Sequence, residues 1–155
     1  MTVVEDEPFA HFVATVGERV RRALVAFYGV DLGADAAADA LAVAWERWDK
    51  VSAMENAGGY LFRIGQSRAR RSLRRLRPPR WLPSAVHLSE TNPSAIDAMT
   101  ELSKLPRVQR AAVLLVKSYG LTYREAAELI DVSEAAITNH VHRGLVRLRS
   151  RLEVQ

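Results

Sequence analysis

Eight arginines lie between residues 63 and 80, and no acidic residue separates them. Residues 1–60, by contrast, carry ten acids and five bases, and the chain after residue 80 is nearly balanced in charge. Such a concentration of guanidinium groups attracts a polyanion through charge and through hydrogen bonds to phosphate. The alternative is a solvated helical face. Because no nearby acid neutralises the arginines, the pattern favours polyanion binding, with nucleic acid as the leading candidate.

A second set of residues suited to binding lies between Leu121 and Leu152. Thr122 and Glu125 have the spacing of a capping box, and Ser133 is placed to cap a longer helix after a turn at Asp131 and Val132. One stripe of that longer helix is apolar: Ile137, Val141, Leu145, Leu148 and Leu152. The opposite face is polar or small: Ala135, Thr138, Asn139, His142, Arg143 and Arg149. Short and polar side chains suit a major groove, so the pattern favours a DNA-binding helix-turn-helix over an ordinary helical hairpin.

The composition argues against several other functions. The chain has no cysteine, so disulfides and thiolate metal sites are excluded. His140 and His142 are two residues apart, and on a helix their side chains diverge by about 200°, which argues against a shared metal ion. No nucleophile–base pair, phosphate-binding glycine loop or paired carboxylates occur, so neither an enzyme nor a cofactor is predicted. No leader peptide and no long apolar run is visible, which predicts a soluble cytoplasmic protein without membrane insertion.

Apolar periodicity predicts an all-α protein. In the N-terminal part the predicted helices span residues 8–28, 34–49 and 60–77, with the glycine-containing segment 52–59 as a loop. Four prolines and no sustained period mark residues 78–95 as a linker, since proline removes a backbone donor and restricts the residue before it. A second helical part follows from Ile96, and its second helix spans residues 107–119 and stops at Gly120.

These elements predict two small helical domains joined by a proline-rich linker. The boundaries are residues 5–77 for the first domain, 78–95 for the linker and 96–153 for the second domain. The second domain is a four-helix, winged-helix-like unit that contains the helix-turn-helix. Domains of this size have marginal cores. A partner is therefore expected to bury exposed faces of the free protein.

The residues of the second domain resemble a known family. The segment from Glu101 to Arg149 contains "LPRVQR" followed by "YREAAELIDVSEAAI" and "HRGLVRLR". It is similar to the promoter-binding C-terminal domain of bacterial extracytoplasmic-function sigma factors. Two N-terminal segments, "DAAADALAVAWERW" and "AGGYLFRIGQSRARRSLRRL", resemble the other domain of that family, in the right order and at the right distance.

This resemblance implies a non-catalytic specificity subunit of RNA polymerase. Its partners would be core RNA polymerase, double-stranded promoter DNA and an anti-sigma protein. Trp48 and the loop from Lys50 to Gly59 would lie near the downstream promoter element. The polymerase-binding residues would be Asp35, Asp39, Leu41 and Trp45. The phosphate-binding residues would be Arg63, Arg70, Arg71, Arg74 and Arg75. The residues that anchor or read the upstream element would be Thr122, Tyr123, Arg124, Ser133, Ala135, Thr138, Asn139, His142 and Arg143.

The chain also departs from the family pattern. Ala38 stands where relatives usually carry glutamine, and Ser67 and Arg71 stand where they carry asparagine and aspartate. Two alternative functions follow. One is a stand-alone helix-turn-helix regulator that binds a symmetric site as a dimer. The other is a degenerate sigma-like protein-interaction module.

Overall fold

Helices make up almost all of the described chain. The structure is a computed structural model that describes residues 6–75 and 93–154, and no strand occurs within those ranges. The N-terminal helices are α1 (Asp6–Phe12), a π-helical turn (Val13–Gly17), α2 (Glu18–Tyr28), α3 (Val30–Glu46), α4 (Trp48–Val51) and α5 (Ala57–Arg75). The C-terminal helices are α6 (Pro93–Ser103), α7 (Arg107–Val113), a π-helical turn (Leu114–Ser118), α8 (Tyr123–Ile130) and α9 (Glu134–Leu152). The all-α prediction is confirmed.

The turn between the first two predicted helices is shorter than the sequence suggests. Gly29 ends α2 with a φ of 91°, and its N–H donates to the carbonyl of Val25 at 2.8 Å. One residue in this conformation reverses the chain, so α3 begins at Val30 and the predicted start at residue 34 is wrong. Gly33 then crosses α2 closely, because a Cβ at Gly33 would lie 2.5 Å from the Val25 Cα.

The predicted loop at residues 52–59 is wrong at its end. Helix α5 begins at Ala57, because the Asn56 side chain accepts a hydrogen bond from the Gly59 N–H at 2.9 Å. This cap offsets part of the cost of adjacent glycines in a first helical turn. Of the predicted linker, residues 78–92 lie outside the described residues, as do Leu76 and Arg77. Residues 93–95 already belong to α6. The predicted helix stop at Gly120 is confirmed by its φ of 72°.

A continuous apolar cluster runs through both halves of the chain. Leu24, Leu61 and Phe62 are fully buried in the N-terminal half, where α2 packs against α3 and α5. Leu115 and Ile137 are fully buried in the C-terminal half, where α9 packs against α7 and α8. Burying each such side chain contributes about 1.5–3 kcal/mol relative to leaving it exposed. The two halves therefore share one core rather than two separate ones.

Arg110 joins the two halves at their centre. Its side chain is buried, and its Nε and Nη2 atoms donate to the carbonyls of Ala26 and Phe27 at 2.9 and 2.8 Å. These carbonyls lie in the last turn of α2, where the helix cannot pair them and where a cation is favoured by the helix dipole. Burial lowers the pKa of Arg110 to about 10, so the side chain stays charged at neutral pH. A C-terminal residue thus caps an N-terminal helix.

Other contacts also connect the two halves of the chain. The Arg107 guanidinium lies over the Tyr28 ring at 5.6 Å, and Arg22 lies over the Tyr119 ring at 5.1 Å. The Asn56 amide donates to the Glu128 carbonyl at 3.0 Å. The sequence predicts two small units with exposed faces. At this junction the two halves cover one another.

Within residues 6–75 and 93–154, no helix is long and apolar enough to span a lipid bilayer. The same residues contain no group of three or more histidine, aspartate and glutamate side chains placed to hold a metal ion.

Candidate nucleic-acid interface

The helix-turn-helix begins with the predicted capping box. The Thr122 hydroxyl accepts from the Glu125 N–H at 3.1 Å, and the Glu125 carboxylate accepts from the Thr122 N–H at 2.8 Å. These hydrogen bonds stabilise the ionised carboxylate and hold the pKa of Glu125 below its usual value. The capping box is confirmed, and it fixes the first residue of α8.

The turn between α8 and α9 is short because Asp131 adopts a left-handed conformation. Its φ is 57°, and the N–H of Val132 returns to the Ala127 carbonyl at 3.1 Å. Aspartate tolerates this conformation better than most residues. The chain then enters α9 at once, where the Ser133 hydroxyl accepts from the Ala136 N–H at 3.0 Å. The predicted cap at Ser133 is confirmed.

Helix α9 is docked by one stripe, as predicted, and Gly144 brings it close to α7. Ile137 and Val141 are buried, while Leu152 is 49% exposed and so lies past the end of the predicted stripe. A Cβ at Gly144 would lie 2.7 Å from the Val113 Cγ2 and 3.4 Å from the Gln109 carbonyl oxygen. Sequence reasoning missed this contact, although a glycine inside a long amphipathic helix was its signal.

The predicted recognition face points away from the core. Thr138 donates its hydroxyl to the Glu134 carbonyl at 2.9 Å. Asn139, His142 and Arg143 make no side-chain hydrogen bond or ion pair within the part of the chain that the structure describes. The exposed residues of this face are Ser133, Ala135, Thr138, Asn139, His142 and Arg143. Amide, imidazole and guanidinium groups left unpaired on one helix face are available to the edges of DNA bases.

The predicted anchors at the start of α8 have different environments. Thr122 is exposed and uses its hydroxyl as the cap, and Tyr123 is half-buried. Arg124 is exposed, but its Nε donates to the Glu128 carboxylate at 3.2 Å. Of these three side chains, Arg124 has a partner that a phosphate would have to replace.

The predicted phosphate-binding arginines line one groove along α5. The groove has a volume of about 420 Å³. Its lining residues are Arg63, Gln66, Ser67, Arg70, Arg71 and Arg74. Arg75 lies one residue further on and is exposed. Phe62, Gly65 and Ala69 are buried on the opposite side of α5, which orients the arginines outward as predicted. Among them, Arg63 is paired with Asp131 of the helix-turn-helix at 3.6 Å.

The predicted polymerase-binding residues lie on α3. Asp35, Asp39 and Ala38 are exposed, while Leu41 is half-buried and faces Gly17. Trp45 is 51% exposed, and its ring packs on Phe9 with 4.8 Å between centroids. Three of the four predicted residues therefore form an accessible surface, and Leu41 supports it from below.

Sequence reasoning missed the junction residues. Arg110 was part of a motif used only to recognise the C-terminal half, and Asn56 was assigned to a loop without a role. Their signal was weak, because an arginine or an asparagine on a helix end is usually solvated. No pattern within either half indicates a partner in the other.

Comparisons with known proteins agree with this geometry. Residues 96–148 match the sequence profile of sigma-70 region 4. A sequence search of curated proteins returns no significant match. Two solved structures share the fold across nearly the whole chain. The sigma factor RpoE from Bartonella quintana, solved with the anti-sigma factor NepR, has a TM-score of 0.69 and 23% identity, and the match covers 96% of this chain and 99% of RpoE.

The second structure is CnrH, solved with the cytosolic domain of CnrY. It has a TM-score of 0.65 and 22% identity, and the match covers 97% of this chain and 90% of CnrH. The profile match falls on the helix-turn-helix, and the structural matches extend over both halves. Residues 96–148 therefore match sigma-70 region 4, and the chain shares the fold of the sigma factor RpoE and of CnrH.

Proposed function

We propose that the protein is a sigma factor that binds core RNA polymerase and directs promoter-specific initiation of transcription. The observation that carries this proposal is the match to sigma-70 region 4 on a helix-turn-helix whose recognition face is exposed, with no side-chain partner described for Asn139, His142 and Arg143. The protein contributes no catalytic group. It positions the polymerase at a promoter, and its residues act by binding the polymerase and the DNA.

Helix α9 reads the upstream promoter element in the major groove. Asn139 suits an adenine edge, and Arg143 suits the two acceptors of guanine. The Thr138 hydroxyl donates its proton to the helix backbone, so its oxygen remains as an acceptor and its methyl group can contact a thymine methyl. Thr122, Tyr123 and Arg124 flank the groove at the start of α8 and contact the sugar-phosphate backbone. Ser133 and Ala135 allow the close approach that base contacts need.

The N-terminal half contributes polymerase binding and phosphate contacts. Arg63, Arg70, Arg71, Arg74 and Arg75 bind backbone phosphates, which adds affinity that depends on salt and carries no sequence information. Asp35, Asp39 and Trp45 on α3 dock on the polymerase, with Leu41 beneath them. Arg71 adds a positive charge where relatives carry an acid, so it is expected to strengthen phosphate binding. The proposal includes a polymerase-binding region at residues 5–77, a connecting segment at 78–95 whose last three residues belong to α6, and a promoter-binding region at 96–153. It also includes a cytoplasmic location.

An anti-sigma protein is the proposed regulator. RpoE was solved with the anti-sigma factor NepR, and CnrH with the cytosolic domain of CnrY. This chain has their fold, and it exposes Trp45 beside an acidic helix face. An aromatic side chain of this kind is a frequent hot spot in protein interfaces. A partner that covers α3 would compete directly with the polymerase.

Run-off transcription tests the function. Purified core RNA polymerase is supplied with a genomic promoter library, with and without the protein. New start sites that share two spaced elements support a sigma factor. An N139A/R143A variant serves as the matched control, because it should lose these start sites while still binding core polymerase in a pull-down.

Two other outcomes assign the alternatives. Absence of transcription together with a gel shift on a palindromic duplex would identify a stand-alone regulator. Absence of both would identify a protein-interaction module.

A further inference from the structure

An acidic residue from the other half of the chain lies against Arg63, one of the residues that line the basic groove on α5. The Arg63 Nη1 atom lies 3.6 Å from the Asp131 Oδ2 atom. Arg70, Arg71 and Arg74 line the rest of the groove, and the structure describes no acidic partner for them. Within the described residues, Arg63 is therefore the one groove arginine that is already bound to an anion.

The fold holds Asp131 at this position. Asp131 is the left-handed residue that ends α8, and its backbone N–H donates to Ala127. Helix α8 packs against α5, where Leu129 lies 3.3 Å from the position of a Cβ on Gly58. The Asn56 amide bonds the Glu128 carbonyl three residues before Asp131. The packing of the two halves therefore places the Asp131 carboxylate next to Arg63.

A carboxylate and a phosphate use the same guanidinium donors. Asp131 lies at the Nη1 end of the Arg63 guanidinium, so a phosphate that binds this end of the side chain must displace the carboxylate. Both side chains of the pair are more than half exposed, at 59% for Arg63 and 71% for Asp131, so a phosphate can reach the site.

We propose that Asp131 acts as an intramolecular phosphate mimic, so that packing of the helix-turn-helix on α5 competes with nucleic-acid binding along the α5 groove. The inference rests on the proposed function only in naming promoter DNA as the polyanion. By reciprocity, nucleic acid bound along α5 weakens the contact between α5 and α8 by the same factor. Asp131 and the nucleic acid therefore compete for Arg63.

A labelled single strand of twenty thymidines tests the competition in the full-length protein. This strand has no major groove, so α9 cannot read it and the signal reports the basic groove. An Asp131→Asn variant is compared with Asp97→Asn, which removes the same charge from an exposed position on α6 for which no ion pair is described. Asp131→Asn should tighten binding about two- to fivefold, as expected for release of an exposed ion pair. Asp97→Asn should change it less than 1.5-fold, roughly the effect of net charge alone.

A double-variant cycle ties the gain to Arg63. In an Arg63→Ala background, the Asp131→Asn substitution should no longer tighten binding beyond Asp97→Asn. Equal affinities of Asp131→Asn and Asp97→Asn would overturn the proposal. Weaker binding by Asp131→Asn would overturn it too, and so would failure of every variant to bind the strand at low salt. The transcription test is separate, since a sigma factor that initiates normally with none of these effects retains its proposed function and loses only this inference.

Discussion

Arg110 and the arginines along α5 are the same residue type in opposite environments. Arg110 is 4% exposed and donates to two carbonyls of α2 across the junction. Arg70, Arg71 and Arg74 are exposed, and the structure describes no acidic partner for them. A buried and fully engaged guanidinium holds the protein together, whereas an unpaired one remains available to a ligand. Arginine content alone therefore does not report affinity for nucleic acid.

The comparison also separates kinds of DNA contact. The α5 arginines share one groove and carry the same charge, so they suit a uniform phosphate backbone. Arg143 stands on α9 beside Asn139 and His142, where the chemistry changes from residue to residue. Mixed side chains on a helix face can distinguish base pairs, whereas a uniform row of charge cannot. Under the proposed function, α5 contributes strength of DNA binding and α9 contributes selectivity.

The largest effect is expected at Arg110. An Arg110→Met variant keeps the aliphatic volume but loses the hydrogen bonds from a charged donor to the carbonyls of Ala26, Phe27 and Leu105. The free energy of unfolding should fall by about 3 kcal/mol, as measured by chemical denaturation. Arg110→Lys is the matched control. It should retain less than half of the stability that Arg110→Met loses, because an ammonium group lacks the planar set of donors of a guanidinium. Full stability of Arg110→Met would remove the distinction between the two groups of arginine.

Recognition residues on α9 should show the next largest effect, and only in selectivity. Asn139→Ala and Arg143→Ala should each lose about 1–3 kcal/mol of discrimination at one base pair of the upstream element. The measurement is binding to a set of duplexes in which every base pair of the element is substituted in turn. Arg147→Ala is the control, since the Arg147 guanidinium is held by the Gln109 side chain at 3.1 Å. A loss of affinity that is equal for all duplexes would place Arg143 with the α5 arginines.

A single arginine of the groove should have a smaller and uniform effect. Arg70→Ala should weaken binding to all single-stranded sequences alike and reduce the slope of log K against log salt by about 0.7. Fluorescence anisotropy across a salt series measures this slope. Arg21→Ala removes the same charge, but Arg21 is bound to Glu18 at 2.6 Å, so the slope should stay unchanged. Equal slopes for the two variants would indicate that the groove does not bind phosphate.

Local signals in the sequence predicted the helix-turn-helix well. The capping box at Thr122 and Glu125, the cap at Ser133 and the exposed face of α9 all depend on residues within a few positions of one another. Patterns of this range are visible in a sequence because the partners are close in the chain. The same holds for α5, whose buried and basic sides follow from helical periodicity.

The junction was not predictable in the same way. Arg110 bonds two carbonyls more than eighty residues away in the chain. Because every residue type carries the same backbone carbonyl, the sequence does not mark which carbonyls will accept these hydrogen bonds. The early start of α3 and of α5 was missed for a related reason. Gly33 and Gly58 look like helix breakers, yet each permits a close crossing with a neighbouring helix that supplies the stability a glycine lacks.

The smallest effect is expected at Arg19, which belongs to neither group of arginines. Arg19 crosses the junction to Glu125 at 3.6 Å, but both side chains are exposed. The pKa of Glu125 is lowered mainly by its hydrogen bonds to Thr122, and the Arg19 charge is the last of its causes. A carboxylate with a lowered pKa stabilises the fold above its unfolded pKa, and this contribution is lost as pH falls through the folded pKa. The melting temperature, measured at intervals from pH 7 to pH 3, follows this loss of stability, which we call the acid limb.

Arg19→Met should leave the acid limb almost as it is in the unmodified protein, because the hydrogen bonds that lower the pKa of Glu125 remain. Glu125→Gln should make it shallower by the part that Glu125 contributes, since glutamine retains the capping geometry but does not titrate in this range. If Arg19→Met instead flattened the limb as much as Glu125→Gln, the exposed ion pair would be the dominant interaction of Glu125. Exposed arginines at the junction would then resemble Arg110, and accessibility would no longer separate arginines that hold the fold from those that are free for DNA.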